Sequence, residues 1–179
     1  MPQYKAPLRE VRFLLNEVFD YTAHYAQLHS AEDATPDMVD AILEGCATFC
    51  EEVLAPLNLS GDQEGCPIAD GEVTTPKGFK EAYRQYIDGG WAALACDPEY
   101  GGQGLPYVVN SMFYEMLNSA NQAWTMYPGL THGAYAALET HGTPEQKATY
   151  LPKMTSGEWT GTMCLTEPHC GTDLGLMRT

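Results

Sequence analysis

The chain has 179 residues, 44% of them hydrophobic, and its nine lysines and arginines face 24 aspartates and glutamates for a formal net charge of −15. That length allows one domain with a sizeable core, and the apolar content excludes a disordered chain. The acidic balance repels nucleic-acid phosphates and anionic membrane surfaces, so nucleic acid is not an expected partner, and any polyanionic ligand would need local cations.

Met1 to Lys5 is not followed by an apolar run, and no stretch approaches the roughly 18 consecutive apolar residues of a membrane span, which predicts a cytoplasmic chain. Leu8, Val11, Leu14, Leu15 and Val18 recur at three- and four-residue spacing and predict a helix over Pro7 to Phe19. Thr35-Pro36-Asp37 offers a hydroxyl cap, a proline preset for the first turn and an acid suited to the helix dipole. A second helix should therefore run from Thr35 to about Leu54 and stop at Pro56.

Asn58 to Thr75 reads as a surface loop with a short extended pairing around Gly71. Thr75-Pro76 predicts a third helix start, with Phe79, Ala82, Tyr83, Tyr86 and Ile87 facing inward and Gly89-Gly90 closing it. Trp91 to Leu94 is a tight apolar turn. Gly102-x-Gly104 has no preceding strand, no third glycine and no Gly-Lys-Ser/Thr, so it is a weak phosphate-loop signal and reads as a turn entering a helix at Pro106.

A helix is expected from Tyr107 to Asn118, then an aromatic and sulfur-rich segment from Ser119 to Pro128 whose Trp124, Met126 and Tyr127 read by default as core, then another helix from Leu130 to His141. Thr143-Pro144-Glu145-Gln146 is a capping box opening a short helix. His132 and His141 read as packing or capping residues, because no Gly-x-Ser-x-Gly elbow accompanies them. Cys46 and Cys50 lie one helical turn apart among apolar neighbours and read as buried free thiols. Cys164, His169 and Cys170 could be imagined as three zinc ligands, but no second ligand cluster supports them and no metal is expected.

The chemistry is concentrated from Met163 to Gly175. Thr160 to Thr166 is rich in β-branched and apolar residues and predicts a strand. Pro168 cannot donate to a ladder and Gly171 is free of ordinary backbone limits, so the strand should give way to a loop with exposed amides. Such amides can serve an anion or a heterocycle.

Three ordered motifs carry a resemblance. Cys164-Leu165-Thr166-Glu167-Pro168 followed by Gly171-Thr172-Asp173 closely resembles the first signature of the flavin-dependent acyl-CoA dehydrogenases. Gly90-Trp91, an apolar run and Pro98-Glu99-Tyr100-Gly101-Gly102-Gln103-Gly104-Leu105 is similar to a stretch of their N-terminal domain, and Gly142-Thr143 with Gln146-Lys147 and Tyr150-Leu151-Pro152 to the helix before their flavin motif. Together the motifs cover residues 89 to 175, about half of the chain. Cys170 and Leu176 depart from it, standing where the family usually has small residues. The region from Tyr4 to the first acidic helix resembles a larger bacterial subgroup acting on medium to long acyl chains and on 3-methylthiopropionyl-CoA.

The resemblance implies a mainly α fold, with a helical N-terminal domain over residues 1–156 and the first strand and loop of an incomplete β domain over 157–179. It implies α,β-dehydrogenation of an acyl-CoA thioester in fatty acid metabolism, FAD taking a hydride from Cβ after a base removes the α-proton. It puts Met163, Leu165 and Thr166 along the flavin, Gly171 and Thr172 near its phosphates and the thioester, and Trp124, Thr125 and Tyr127 on the acyl-chain pocket. The base comes from a C-terminal helical bundle in that family, so no catalytic residue is expected in this chain, Glu167 included, and the 179 residues alone are expected to be inactive. Electron-transfer flavoprotein is the implied acceptor and a homo-oligomer the implied assembly. The contrasting expectation is a non-catalytic helical interaction module derived from the same fold, which would stay colourless with added FAD.

Overall fold

The computed structural model describes residues 3–28, 31 and 34–179, so Met1 and Pro2 of the N-terminal reading lie outside it. Helix α1 (Leu8–Arg12) continues as a wide π-type turn, Phe13–Val18. Asp20 then adopts a left-handed conformation, φ 45°, and its carboxylate accepts from Ala23 N at 3.3 Å. Aspartate tolerates this geometry better than most residues, and its cap starts α2 (Tyr21–Tyr25), an element that periodicity did not reveal.

Thr35 caps α3 (Pro36–Thr48) as expected, its hydroxyl accepting from Met38 N at 3.3 Å. A π-type turn, Phe49–Leu54, leads directly into α4 (Ala55–Glu64). Pro56 therefore does not stop the chain. It sits in the first turn of α4, where a missing N–H costs nothing, and the widened turn before it relieves the clash a proline makes with a regular preceding turn. The loop expected from Asn58 begins only after Glu64.

Strands β1 (Ile68–Ala69) and β2 (Glu72–Val73) pair antiparallel, Ile68 opposite Val73, around the expected Gly71. Asp70 at φ 54° and Gly71 at φ 82° supply the two positive angles that a tight hairpin turn of this hand requires. Helix α5 (Phe79–Asp88) starts three residues beyond Pro76, because Pro76 to Gly78 first makes a turn closed by Phe79 N to Pro76 O at 3.2 Å. It ends at Gly89 as read.

Short 3-10 turns, Trp91–Ala93 and Pro98–Tyr100, flank the glycine-rich loop. Its amides turn inward, Gln103 N to Ala93 O at 2.9 Å, Gly104 N to Cys96 O at 2.9 Å and Leu105 N to Leu94 O at 2.9 Å. They are spent on the chain itself, which rules against phosphate cradling by this loop. A Cβ on Gly102 would sit 1.9 Å from the Cys96 carbonyl oxygen, so only glycine fits there.

Helix α6 (Tyr107–His141) is helical on both sides of one break, Asn121, at φ −159° and ψ 87°. A straight helix would hold Tyr107 and His132 about 37 Å apart at 1.5 Å per residue. Instead their rings stack with centroids 5.5 Å apart, so α6 is a hairpin of two antiparallel arms. The aromatic and sulfur-rich segment from Ser119 to Pro128 is helix apart from that residue, so the helices expected on either side of it are joined through it. Helix α7 (Pro144–Thr155) carries the expected capping box, with Gln146 N to Thr143 Oγ1 at 3.3 Å and Thr143 N to Gln146 Oε1 at 2.9 Å.

The main core joins α3, the following π-type turn, α5 and the first arm of α6 through Leu43, Cys46, Cys50, Leu54, Tyr86 and Phe113. Cys46 and Cys50 are buried free thiols, as read. The expected strand from Thr160 to Thr166 is absent, since among the described residues nothing pairs with it, and a strand needs a neighbour to satisfy its backbone. The chain there carries no ladder. No helix among the described residues is long and apolar enough to cross a membrane.

Candidate functional site

Asn121 sets the direction of the second arm of α6. It is buried, its Nδ2 donates to Leu54 O at 3.3 Å, and its Oδ1 accepts from Trp124 N at 3.1 Å in the manner of an N-cap. The Asn121 carbonyl in turn accepts from the Thr125 hydroxyl at 2.9 Å. This turns Trp124 and Thr125 into the core, 4% and 0% exposed, with Trp124 Nε1 donating to Phe79 O at 3.2 Å. Of the three residues assigned to an acyl pocket, only Tyr127 reaches the surface, 53% exposed, its ring edge-on to Tyr83 at 5.1 Å and its hydroxyl 3.5 Å from that of Thr160.

Between the two arms of α6 and α5 lies a cleft of about 230 Å³, lined among others by Tyr83, Tyr107, Tyr114, Gly129, His132 and Gly133. None of Trp124, Thr125 and Tyr127 lines it. Burial pushes the Tyr83 hydroxyl up to about 12 and holds His132 below the usual imidazole range, and the His132 ring stacks on Tyr107 with centroids 5.5 Å apart. Tyr135 closes one end, its hydroxyl accepting from Asp97 N at 2.9 Å and donating to Glu139 Oε1 at 3.3 Å. Sequence reasoning missed this cleft. Its signal was Gly129 and Gly133, four apart on one helix, which leave that face bare where tyrosines from the other arm approach.

The stretch read as the chemical centre leaves α7 and runs along the second arm of α6. Gly161 N donates to the Thr131 hydroxyl at 3.2 Å, and a Cβ on Gly161 would meet Ala134 Cβ at 2.5 Å, so glycine permits this close passage. From Thr162 to Thr166 no amide donates within the chain among the described residues. Met163 is 61% and Leu165 41% exposed. Gly171 has an ordinary φ, contrary to the backbone argument made for it, and a Cβ there would make ordinary 3.6 Å contact with Thr166 Cγ2. Thr166, Gly171 and exposed Thr172 thus stand together at the end of the strip. Free amides beside exposed apolar side chains are what a flat heterocycle with polar edges requires.

Beyond the strip, Glu167 and Cys170 bond to each other through their backbones. The Glu167 carboxylate accepts from the Thr179 hydroxyl, from Thr179 N at 3.1 Å and from Arg178 N at 3.1 Å, which holds it below the usual carboxylate range. His169 Nε2 lies 3.2 Å from Glu167 Oε2. The donor atoms of Glu167, His169 and Cys170 form one group, while Cys164, considered with the two latter from sequence, stands outside it and is exposed.

Comparison with known proteins follows the same outline. A family model described as acyl-CoA dehydrogenase, N-terminal domain, matches residues 36–158. The chain is 41% identical over 175 residues to the 3-methylmercaptopropionyl-CoA dehydrogenase of Ruegeria pomeroyi, covering 98% of this chain and 30% of that protein. It is 32% identical over 184 residues to a butyryl-CoA dehydrogenase of Syntrophomonas wolfei subsp. wolfei, covering 98% of this chain and 29% of that one. The fold is shared with the butyryl-CoA dehydrogenase structure from Megasphaera elsdenii, TM-score 0.66 at 24% identity over 81% of this chain and 36% of that chain. It is also shared with a chain from a structure of the electron transferring flavoprotein of Acidaminococcus fermentans, TM-score 0.64 at 25% identity over 80% and 35%. The chain spans about 30% of the length of the curated relatives it matches.

Proposed function

The chain belongs to the acyl-CoA dehydrogenase family, and from that premise we propose that it is the N-terminal part of an FAD-dependent enzyme that desaturates an acyl-CoA thioester between Cα and Cβ. The observation that carries this reading is the strip from Thr162 to Thr166, whose amides are free within the described chain and whose apolar side chains are exposed. Those residues fit a flavin ring. FAD, when bound, supplies the acceptor for the hydride that leaves Cβ.

Thr166 would donate through its hydroxyl or amide to a bound flavin, and a bond to the part of the ring that gains charge would favour the reduced over the oxidised state. Exposed Met163 and Leu165 would cover its ring and exclude water. Gly171 and Thr172 offer backbone at close approach to the phosphates and the thioester, a use for a glycine that the chain's own packing does not need. Tyr127 and the adjoining cleft receive the acyl group, with Trp124 and Thr125 holding the helix behind it. Glu167 is engaged by the amides of residues 178 and 179 and is not the base. That base lies outside these 179 residues, which alone do not turn over substrate.

The helical domain ends near residue 156, where Gly157 takes φ 75° and its carbonyl accepts from the Tyr83 hydroxyl at 3.2 Å. Residues 157–179 open a β domain whose neighbouring strands would ladder the free amides. The fold likeness to a chain from an electron transferring flavoprotein structure makes such a flavoprotein the first acceptor to test. Homo-oligomerisation of the full-length protein is part of the same reading. Adding FAD to the full-length protein tests it: a bound flavin spectrum at about one equivalent is expected. A folded protein that stays colourless at saturating FAD would overturn it in favour of a non-catalytic interaction module.

A further inference from the structure

The turn Glu167-Pro168-His169-Cys170 is closed from both sides, Glu167 N to Cys170 O at 2.8 Å and Cys170 N to Glu167 O at 3.1 Å. Residues paired by exchanged bonds carry their side chains on one face, so the carboxylate and the thiol emerge together. Proline at the second position restricts the turn. The 3-10 turn Leu174–Leu176, capped by Asp173, then brings the Leu176 carbonyl back to 3.0 Å from His169 Nε2. The same nitrogen lies 3.2 Å from Glu167 Oε2, and the donor atoms of Glu167, His169 and Cys170 all fall within 4.8 Å of one another.

We propose that this turn is a binding site for a thiophilic divalent cation of the zinc type, held by Glu167 Oε2, His169 Nε2 and Cys170 Sγ with the Leu176 carbonyl oxygen as fourth donor. Around a tetrahedral zinc with nitrogen and oxygen ligands at about 2.0–2.1 Å, neighbouring ligand atoms are about 3.3 Å apart. Both oxygens facing His169 Nε2 already stand near that edge length, at 3.0 and 3.2 Å. The sulfur edge is about 3.6 Å for a zinc–sulfur bond of about 2.3 Å, so the thiol has to close on Glu167 and His169 by about 1.2 Å at most. Glu167 Oε1 accepts from Thr179 N and the Thr179 hydroxyl, while Oε2 accepts only from Arg178 N at 3.1 Å and keeps a lone pair for one-oxygen ligation. Such outer partners orient a ligand and leave its other oxygen for the metal. One carboxylate and one thiolate balance the charge of the cation, and the thiol proton passes to solvent on binding.

The site is independent of the flavin reading, which assigns no role to His169 or Cys170. The simple alternative is an imidazole N–H shared between two oxygens, which involves no sulfur, so the sulfur is the discriminating atom. Titration of the chain with Co²⁺ should give an intense near-ultraviolet thiolate-to-cobalt band at one equivalent, with tetrahedral visible bands that Zn²⁺ displaces. Cys170→Ser should abolish that band, and His169→Ala or Glu167→Gln should weaken binding by at least the roughly 10- to 100-fold that loss of an outer partner costs. Cys66→Ser and Cys164→Ser, at exposed thiols, should leave it unchanged. X-ray absorption of the unsubstituted chain with Zn²⁺ should show one sulfur and three lighter ligands. Absence of the band at saturating Co²⁺, its survival in Cys170→Ser, or a zinc shell with two sulfurs or none would overturn the proposal.

Discussion

The side-chain amide of Asn121 donates to the main-chain carbonyl of Leu54 at 3.3 Å, across 67 residues of chain, and that bond ties the end of the π-type turn to the hinge of α6. The one side chain serves two buried backbone groups, Leu54 O and Trp124 N. The hinge in turn decides which residues of the second arm face the core and which face the cleft.

Asn121→Ala should therefore cost about 1.5–2.5 kcal/mol, from an N-cap worth about 1 kcal/mol and one buried hydrogen bond worth about 0.5–1.5 kcal/mol. Asn121→Asp restores the acceptor for Trp124 N but sets a carboxylate oxygen against Leu54 O, and it should not recover stability. Urea denaturation of the three chains gives the order. Equal stability for all three would show that the hinge is held by packing alone.

Gly129 and Gly133 separate two effects on one helix. A Cβ at Gly133 meets nothing within 4 Å, whereas a Cβ at Gly129 would lie 2.1 Å from the Tyr114 hydroxyl. Gly133→Ala should stabilise by about 0.5–1 kcal/mol through helix propensity. Gly129→Ala should show less than this, because Tyr114 has to move, and the full gain should return in a Tyr114→Ala background. Thermal melts of the single and double variants check the cycle.

Burial depresses His132, against a smaller opposing influence of Glu139. The unfolded chain thus takes up a proton near 6.5 that the folded chain resists. Stability from this residue is present above pH 6.5 and is lost as pH falls from there through the lower folded value. His132→Gln should flatten the stability profile just below pH 6.5, in a window still above the acid range in which Glu51 and Glu167, both held low, are protonated. Denaturant midpoints at half-unit pH intervals would show an unchanged slope if His132 were not the titrating group.

What was legible in the residues follows the range of the physics involved. The Thr143 and Gln146 box, the Thr35 cap and the Gly71 hairpin are local chemistry, complete within four or five residues, and each is found where it was read. Pro56 misled because a proline that ends one regular helix is equally at home in the first turn of another, and the π-type turn joining them has no sequence mark. Asn121 looked like any polar residue between two expected helices, since its partner Leu54 is distant in sequence. The same hinge explains why Trp124 and Thr125 face inward while Tyr127 faces out. Thr160 to Thr166 has strand composition but no partner strand among the described residues, and composition alone cannot supply a ladder.

In the full-length flavin-loaded protein, Thr166→Val removes a hydroxyl and keeps the shape and the amide. A bond to a group that gains charge is worth about 1.5–3 kcal/mol, so the substitution should lower the flavin reduction potential and slow reduction by substrate. The helical domain should stay folded. An unchanged potential with FAD still bound would leave only the backbone of Thr166 in that role.

Anaerobic mixing of the full-length, FAD-saturated protein with butyryl-CoA or 3-methylmercaptopropionyl-CoA, the short thioesters named for its relatives, tests the central claim most directly. The account predicts bleaching of the flavin absorbance, together with a product lighter than the substrate by two hydrogens. A protein that binds FAD yet shows neither bleaching nor product with these or longer acyl-CoA thioesters would contradict it.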